Sequence, residues 1–292
     1  MSDRRRPRRP AWLLGLCLLA AVLGWGLSRH DAKRPHATLT AARNPVTAST
    51  PAASGTTTTP TITTPTAGAP SLPLSGRTIT VDPGHNGGNF THSSEISRPV
   101  PDGNGTKECD TTGTAAPDGY RETDFNWSVA RRLRVLLQAA GAKVVMTRSS
   151  NTGVGPCVNE RAAIGNRAHS DVAISIHADG GPTDGSGFAV LIPAAIPGGG
   201  DRGILAPSHR LGVDLRGALI GIGLHTSTYD GHDGLAPRTD LGGLNLSRVP
   251  KVFVEVANMQ NHADEAPMET AGYRQHVARA LLVGIERFLP AR

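Results

Sequence analysis

Residues 78–88 read TITVDPGHNGG: a β-branched run, then Pro83-Gly84, then a histidine followed by Asn86 and two glycines. Thr, Ile and Val suit the pleated, half-buried surface of a strand, and Pro-Gly punctuates its end. The same pattern returns twice. Asp171–Ile176 (DVAISI) runs into His177, and Lys251–Val254 (KVFV) runs into Glu255. Helical periodicity fills the intervals. After Glu122, residues Phe125, Val129, Leu133, Leu136 and Leu137 recur at three- and four-residue spacing, and Gly141 stops the run. Lys143–Thr147 and Gly187–Ile192 read as further strands. Residues 159–169 read as a short helix with Asn159 as its N-cap, and His209–Gly223 and residues 266–289 as helices. Strands alternating with helices predict one α/β domain, with a mostly parallel central sheet flanked by helices.

In such folds the polar side chains just past the strands gather at the carboxyl edge of the sheet, where sites are built. His85, His177 and Glu255 all fall there. Glu122 opens a helix. Two histidines and a glutamate suit a zinc ion, and a second glutamate suits a general base. Each residue has an ordinary alternative. His85 reads equally as a surface-loop histidine, and His177 as a strand histidine bonded to a carbonyl. Glu122 in a first helical turn is favoured by the helix dipole alone. Glu255 interrupts the apolar run Val252–Ala257, so burial would raise its pKa as proton transfer requires; an edge-strand glutamate facing water is the other reading. His92, His169, His209, His225, His232, His262 and His276 are read as solvated or core-satisfied, with His225, His232 and Arg238 as further groove candidates.

Charge is unevenly placed. Residues 1–75 hold nine Lys/Arg and two acids, which leaves 21 basic and 22 acidic residues, net −1, in residues 76–292. A nearly neutral domain lacks the basic face that nucleic-acid binding needs, so no nucleic-acid partner is expected. Residues 4–9 (RRRPRR) followed by the uncharged apolar run 11–27 read as an export signal or membrane anchor spanning residues 1–30, which engages the membrane or export machinery. Residues 31–75 are rich in Thr, Pro and Ala and cannot build a core, so they read as a disordered linker before a domain at 76–292. The domain is expected to lie outside the cytoplasm. There Cys109 and Cys157 are expected to pair, two unpaired thiols being the alternative. Residues 86–121 form a long polar stretch, of a length that usually carries function, and 88–119 are the candidate cover of the site.

The four residues and their surroundings resemble a known family. VDPGHNG around His85, GYRETDFN around Glu122, DVAISIHAD around His177 and PKVFVE around Glu255 are similar, in order, to the motifs of the zinc-dependent type 3 N-acetylmuramoyl-L-alanine amidases. Asn261 stands in place of a downstream motif Asn. The resemblance runs from about residue 76 to the C-terminus. It implies that His85, Glu122 and His177 bind Zn²⁺ and that Glu255 is the catalytic base. It implies a peptidoglycan substrate cut between N-acetylmuramic acid and L-alanine, and the enzyme is expected to be a monomer. The stretch after Glu255, Val256–Asn261, departs from the family's apolar pattern. A zinc peptidase on wall stem peptides would use the same ligands, and a non-catalytic wall-binding regulator would have lost them.

Overall fold

The computed structural model describes residues 72–291. The export signal or anchor read at 1–30, and residues 31–71 of the linker read at 31–75, lie outside the described residues; at the end of that linker Leu74 is buried in the core. Among the described residues no helix is long and apolar enough to cross a membrane.

Six strands form one sheet, in the order β4 (Lys143–Met146), β1 (Thr78–Pro83), β5 (Val172–Asp179), β8 (Lys251–Asn258), β6 (Ala189–Pro193) and β7 (Leu235–Arg238). All pairs are parallel except β6 with β8. Side chains alternate across the sheet by the two-residue period of a strand. Ile79, Val81, Val172, Ile174, Ile176, Val190, Val252 and Val254 point to one face and join the main core. That face is covered by α2 (Glu122–Ala139), α4 (Leu205–Gly221) and α7 (Ala271–Phe288). Phe125, Val129, Leu133 and Leu137 of α2 are fully buried there. The alternate residues, Thr80, Asp82, Ser175, His177, Lys251, Phe253 and Glu255, point to the opposite face, which α3 (Val158–Arg167) and α5 (Gly242–Asn245) partly cover. The polar chemistry of the chain is therefore sorted onto one side of the sheet by strand periodicity alone.

Several elements differ from the sequence reading. His177 and Glu255 lie inside β5 and β8 rather than beyond them, directly opposite one another in register. The N-cap of the short helix is Cys157, not Asn159; Cys157 N donates to Glu160 Oε2 at 3.3 Å. The C-terminal helix is two helices, α6 (His262–Met268) and α7, because Thr270 caps a new start, its Oγ1 accepting from Tyr273 N at 3.2 Å. Asn261 caps α6 through the N–H groups of Ala263 and Asp264. The polar stretch 86–121 contains a one-turn helix, α1 (Ser93–Ile96), and a hairpin of β2 (Pro99–Pro101) and β3 (Thr106–Glu108). β7 was missed because Pro237 sits within it, which only an edge strand tolerates. Cys109 and Cys157 form a disulfide.

Beneath the site lies a buried charge cluster. Asp82, 2% exposed, accepts from Thr147 Oγ1 (2.7 Å), Ser175 Oγ (2.8 Å), Arg161 Nη1 (2.9 Å) and Lys251 Nζ (3.0 Å). Burial alone would raise its pKa, but Lys251 and Arg161 outweigh that and hold it far below the ordinary carboxylate range. Removing one partner of such a buried set leaves a charge uncompensated. Asp82→Asn is therefore expected to cost about 3–5 kcal/mol of stability at neutral pH, measured by denaturant unfolding. The carboxylate's contribution is present above its unfolded pKa of about 4 and is lost as pH falls toward the depressed folded value, so the gap between wild type and variant should shrink in acid.

Candidate active site

Four segments meet at the carboxyl end of β1, β5 and β8. His85 follows the Pro83-Gly84 turn and adopts φ +53°, a left-handed conformation uncommon for a residue with a side chain. Two buried arginines hold that turn by its carbonyls. Arg148 Nε and Arg161 Nη1 donate to Pro83 O at 2.9 and 2.8 Å, and Arg161 Nη2 donates to His85 O at 3.0 Å. The His85 ring is oriented by Asp110 and Thr111. Nδ1 lies 2.9 Å from Asp110 Oδ1 and 3.1 Å from Thr111 O. Both neighbours are acceptors, so Nδ1 carries a proton and Nε2 is the nitrogen turned to the site. It lies 3.5 Å from Glu122 Oε2.

Glu122 is the first residue of α2 and is 3% exposed. Oε2 accepts from Thr114 N at 2.9 Å, and Oε1 from Asn126 Nδ2 at 3.0 Å. Oε1 also lies 2.9 Å from His177 Nδ1. Burial would raise the Glu122 pKa, but the two imidazoles and Asn126 bring it down to about 2. His177 stacks on Phe253, with ring centroids 3.7 Å apart and planes at 17°, and meets the His85 ring edge-on. Burial, opposed by Glu122, keeps the His177 pKa below its ordinary value and its ring neutral. At His85 burial also lowers the pKa, but Glu122 and Asp110 outweigh it and raise it to about 9. Two carboxylates aimed at one imidazole mark a place built for positive charge. The donor atoms of His85, Glu122 and His177 lie within 4.8 Å of one another, close enough to share one metal ion.

Glu255 faces the same space from β8. Its Oε2 is buried with no hydrogen-bond partner. Burial, then the carboxylates of Glu122, Asp179 and Asp230, push its pKa well above the ordinary range, while Arg238 pulls the other way. The structure thus brings together all four residues singled out from the sequence. Arg238 lies close enough to Glu255 to act on its charge, but is itself bound by Asp240 at 2.8 and 2.7 Å. His225 and His232 stand outside the group. His225 is largely exposed, 4.0 Å from Asp264, and His232 pairs through its backbone with Leu235.

Beside the two histidines is a cavity of about 170 Å³, with Phe253 and Ser175 from the sheet and Lys107, Glu108, Asp110 and Leu241 among its lining. The β2–β3 hairpin borders it, with Lys107 Nζ donating to Asp240 O at 3.0 Å. The stretch 88–119 therefore lines the site. Asp110, Arg161, Phe253 and Gly113 were missed from the sequence. Phe253 looked like an ordinary strand residue, and Asp110 and Arg161 lie far from the motif histidines. Gly113 carried a signal, a glycine in a polar loop: at φ +75°, a Cβ there would come within 2.7 Å of Glu122 Oε2 and 2.9 Å of His85.

Residues 79–287 match the family model described as N-acetylmuramoyl-L-alanine amidase. The chain belongs to the N-acetylmuramoyl-L-alanine amidase family. It is 41% identical over 228 residues to the N-acetylmuramoyl-L-alanine amidase Rv3717 of Mycobacterium tuberculosis, across 76% of this chain and 90% of that one. The crystal structure of the amidase Ami1 from Mycobacterium smegmatis superposes with a TM-score of 0.70 at 41% identity, covering 74% of this chain and 98% of that one. The amidase AmiC2 of Nostoc punctiforme shares the fold, with a TM-score of 0.54 at 20% identity, over 74% and 98% of the two chains. These amidases, and the family's α/β architecture with a mostly parallel sheet, agree with the geometry described here.

Gly84 tests the packing of this amidase site. A Cβ there would sit 2.0–2.4 Å from three atoms of the His177 ring. Gly84→Ala is expected to displace His177 and sharply weaken divalent-metal binding in isothermal titration, while the circular dichroism of the sheet is retained.

Proposed function

We propose that this domain hydrolyses the amide between N-acetylmuramic acid and the L-alanine of the peptidoglycan stem peptide, with His85, Glu122 and His177 holding zinc and Glu255 moving the proton. The observation that carries the reading is one constellation. A buried carboxylate lies between two imidazoles, each turned by a defined bond, and a second carboxylate with an unpartnered oxygen stands opposite His177 in register. The donor set fits zinc: two imidazole nitrogens and one carboxylate, with the non-ligating nitrogen of His85 bonded to Asp110 in the manner of metal-site histidines. Zinc bound there would acidify water and polarise the amide carbonyl.

The remaining chemistry belongs to this chain's residues. The raised pKa of Glu255 makes its carboxylate a stronger acceptor for a water proton than an ordinary glutamate. Water stripped of that proton attacks the lactyl carbonyl carbon, and the C–N bond to L-alanine breaks. Glu255, now protonated, returns the proton to the departing amine, so no charge is left on the leaving group. Thr114, Asn126 and the PGH turn keep Glu122 and His85 fixed while this happens, which removes reorganisation from the barrier.

The proposed setting follows from residues 1–75. The basic and apolar segment at 1–30 serves as export signal or anchor, residues 31–75 as spacer, and the domain works outside the cytoplasm as a monomer on the wall, in remodelling, turnover or daughter-cell separation. The disulfide supports an oxidising compartment.

The roles separate in two variants. Glu255→Gln is expected to retain zinc by elemental analysis and to lose about 100- to 10,000-fold in muropeptide cleavage. His177→Ala is expected to lose both. Full activity in Glu255→Gln would overturn the base assignment. Digests of purified peptidoglycan should release stem peptides with a free L-alanine amino terminus by mass spectrometry; cleavage only within the stem would point to a peptidase instead.

A further inference from the structure

We propose that Asp110 is a positioning residue for His85, and that the Cys109–Cys157 disulfide sets how tightly the centre holds its metal. This rests on the metal-binding reading of His85, Glu122 and His177. Asp110 follows Cys109 directly, and Arg161 lies one helical turn beyond Cys157, the N-cap of α3. The bridge therefore fastens together the two segments that hold His85 from opposite ends.

The contacts form a closed circuit. Asp110, 4% exposed, takes the His85 Nδ1 proton on Oδ1 at 2.9 Å and Thr111 N on the same oxygen at 2.8 Å. Its other oxygen accepts from Arg161 Nη2 at 3.1 Å. The same Arg161 nitrogen donates to His85 O at 3.0 Å. One residue thus fixes the imidazole and the other fixes the backbone, and each is tied to the other by an ion pair and by the disulfide.

Among the described residues, Arg98 also crosses between the two segments, its Nη2 donating to Cys157 Sγ at 2.8 Å, and little else fastens them at this point. Cys109 and Cys157 share only a small apolar cluster with Val100 and Val158. One backbone bond crosses, from Val158 N to Cys109 O at 2.8 Å. The flanking residues Glu108 and Thr111 are exposed. His85 needs outside support, because its positive φ is costly for a residue with a Cβ. With the bridge absent, Asp110 keeps its ion pair with Arg161 and its backbone bond to Ile96 O, but the two segments lose their covalent tie, the Asp110–His85 bond loosens, both tautomers of His85 become available, and the metal must select one of them. Loss of a hydrogen-bond partner behind a ligand histidine typically lowers metal affinity 10- to 100-fold. Thiols stay reduced in the cytosol and pair in oxidising compartments. A chain with the bridge open would accordingly hold its metal more weakly than one with it closed.

The test is zinc affinity of the full chain, by competition with a chromophoric chelator, for wild type, Asp110→Asn and the double variant Cys109→Ser, Cys157→Ser. Long-range ¹H–¹⁵N spectra of the zinc-loaded proteins report the His85 tautomer, which a general loss of stability would not move. Asp110→Asn is expected to bind zinc about 10- to 100-fold more weakly. The double variant is expected to weaken in the same direction, and the protected His85 Nδ1 proton is expected to broaden in both. If the double variant does not fold, wild type reduced by a phosphine and alkylated while folded takes its place. Unchanged affinity in Asp110→Asn overturns the positioning role. Unchanged affinity with the bridge removed overturns the disulfide's part. Wild type that binds no zinc would fail the metal reading itself, an outcome distinct from both.

Discussion

The site stands on the pairing of Asp82 with Arg161 and Lys251. These three side chains are buried on the functional face of the sheet, and Asp110 completes the set on the far side of Arg161. Two carboxylates stand against these two cations, with the buried Arg148 a third cation beside them at Pro83 O, so each charge has a partner of opposite sign in a region with little water. The geometry of the centre follows from that balance. Arg161 can grip the carbonyls of Pro83 and His85 only because Asp82 and Asp110 neutralise it. Lys251 anchors the beginning of β8, four residues before Glu255. The cluster is thus both the floor of the site and the reference to which His85 and β8 are aligned.

Around the reacting space the electrostatics are deliberately unbalanced in the other direction. Glu122, Asp179 and Asp230 act on Glu255 there, with Arg238 the opposing cation, and Glu122 and Asp110 act on His85. The consequence differs by position. Glu122, flanked by imidazoles and donors, has its pKa held low, whereas burial and the neighbouring carboxylates raise that of Glu255, one of whose oxygens is unpartnered. Two residues of the same type thereby take unlike properties from their surroundings, as the proposed split between ligand and proton carrier requires.

Much of this was legible in the sequence, for physical reasons that can be named. Apolar runs of strand length ending in His85, His177 and Glu255 gave the sheet edge, and the spacing of Phe125 to Leu137 gave the helix that Glu122 opens. Motif resemblance supplied Glu122, which local reasoning reads as a dipole partner. What stayed hidden is long-range. Nothing near Asp110 or Arg161 announces that they meet His85, since 25 and 76 residues separate them from it. The β2–β3 hairpin was invisible because three-residue strands carrying Pro99 and Pro101 show no period. The N-cap was misplaced because Cys157 is an unusual cap beside the more ordinary Asn159.

The strand order carries one more implication, for the timing of synthesis. β8 is the last strand in the chain, yet it lies in the middle of the sheet, between β5 and β6. Until it emerges from the ribosome, β4-β1-β5 and β6-β7 have no common edge and remain two unjoined ribbons. Domains form from the N-terminus onward as they are made, but here the central seam closes near the end. Glu255 arrives on the strand that closes it. Three of the four functional residues can be in place on a nascent chain, and the fourth comes with the act of completing the fold. A product stalled before residue 251 lacks both the seam and Glu255, the proposed proton carrier.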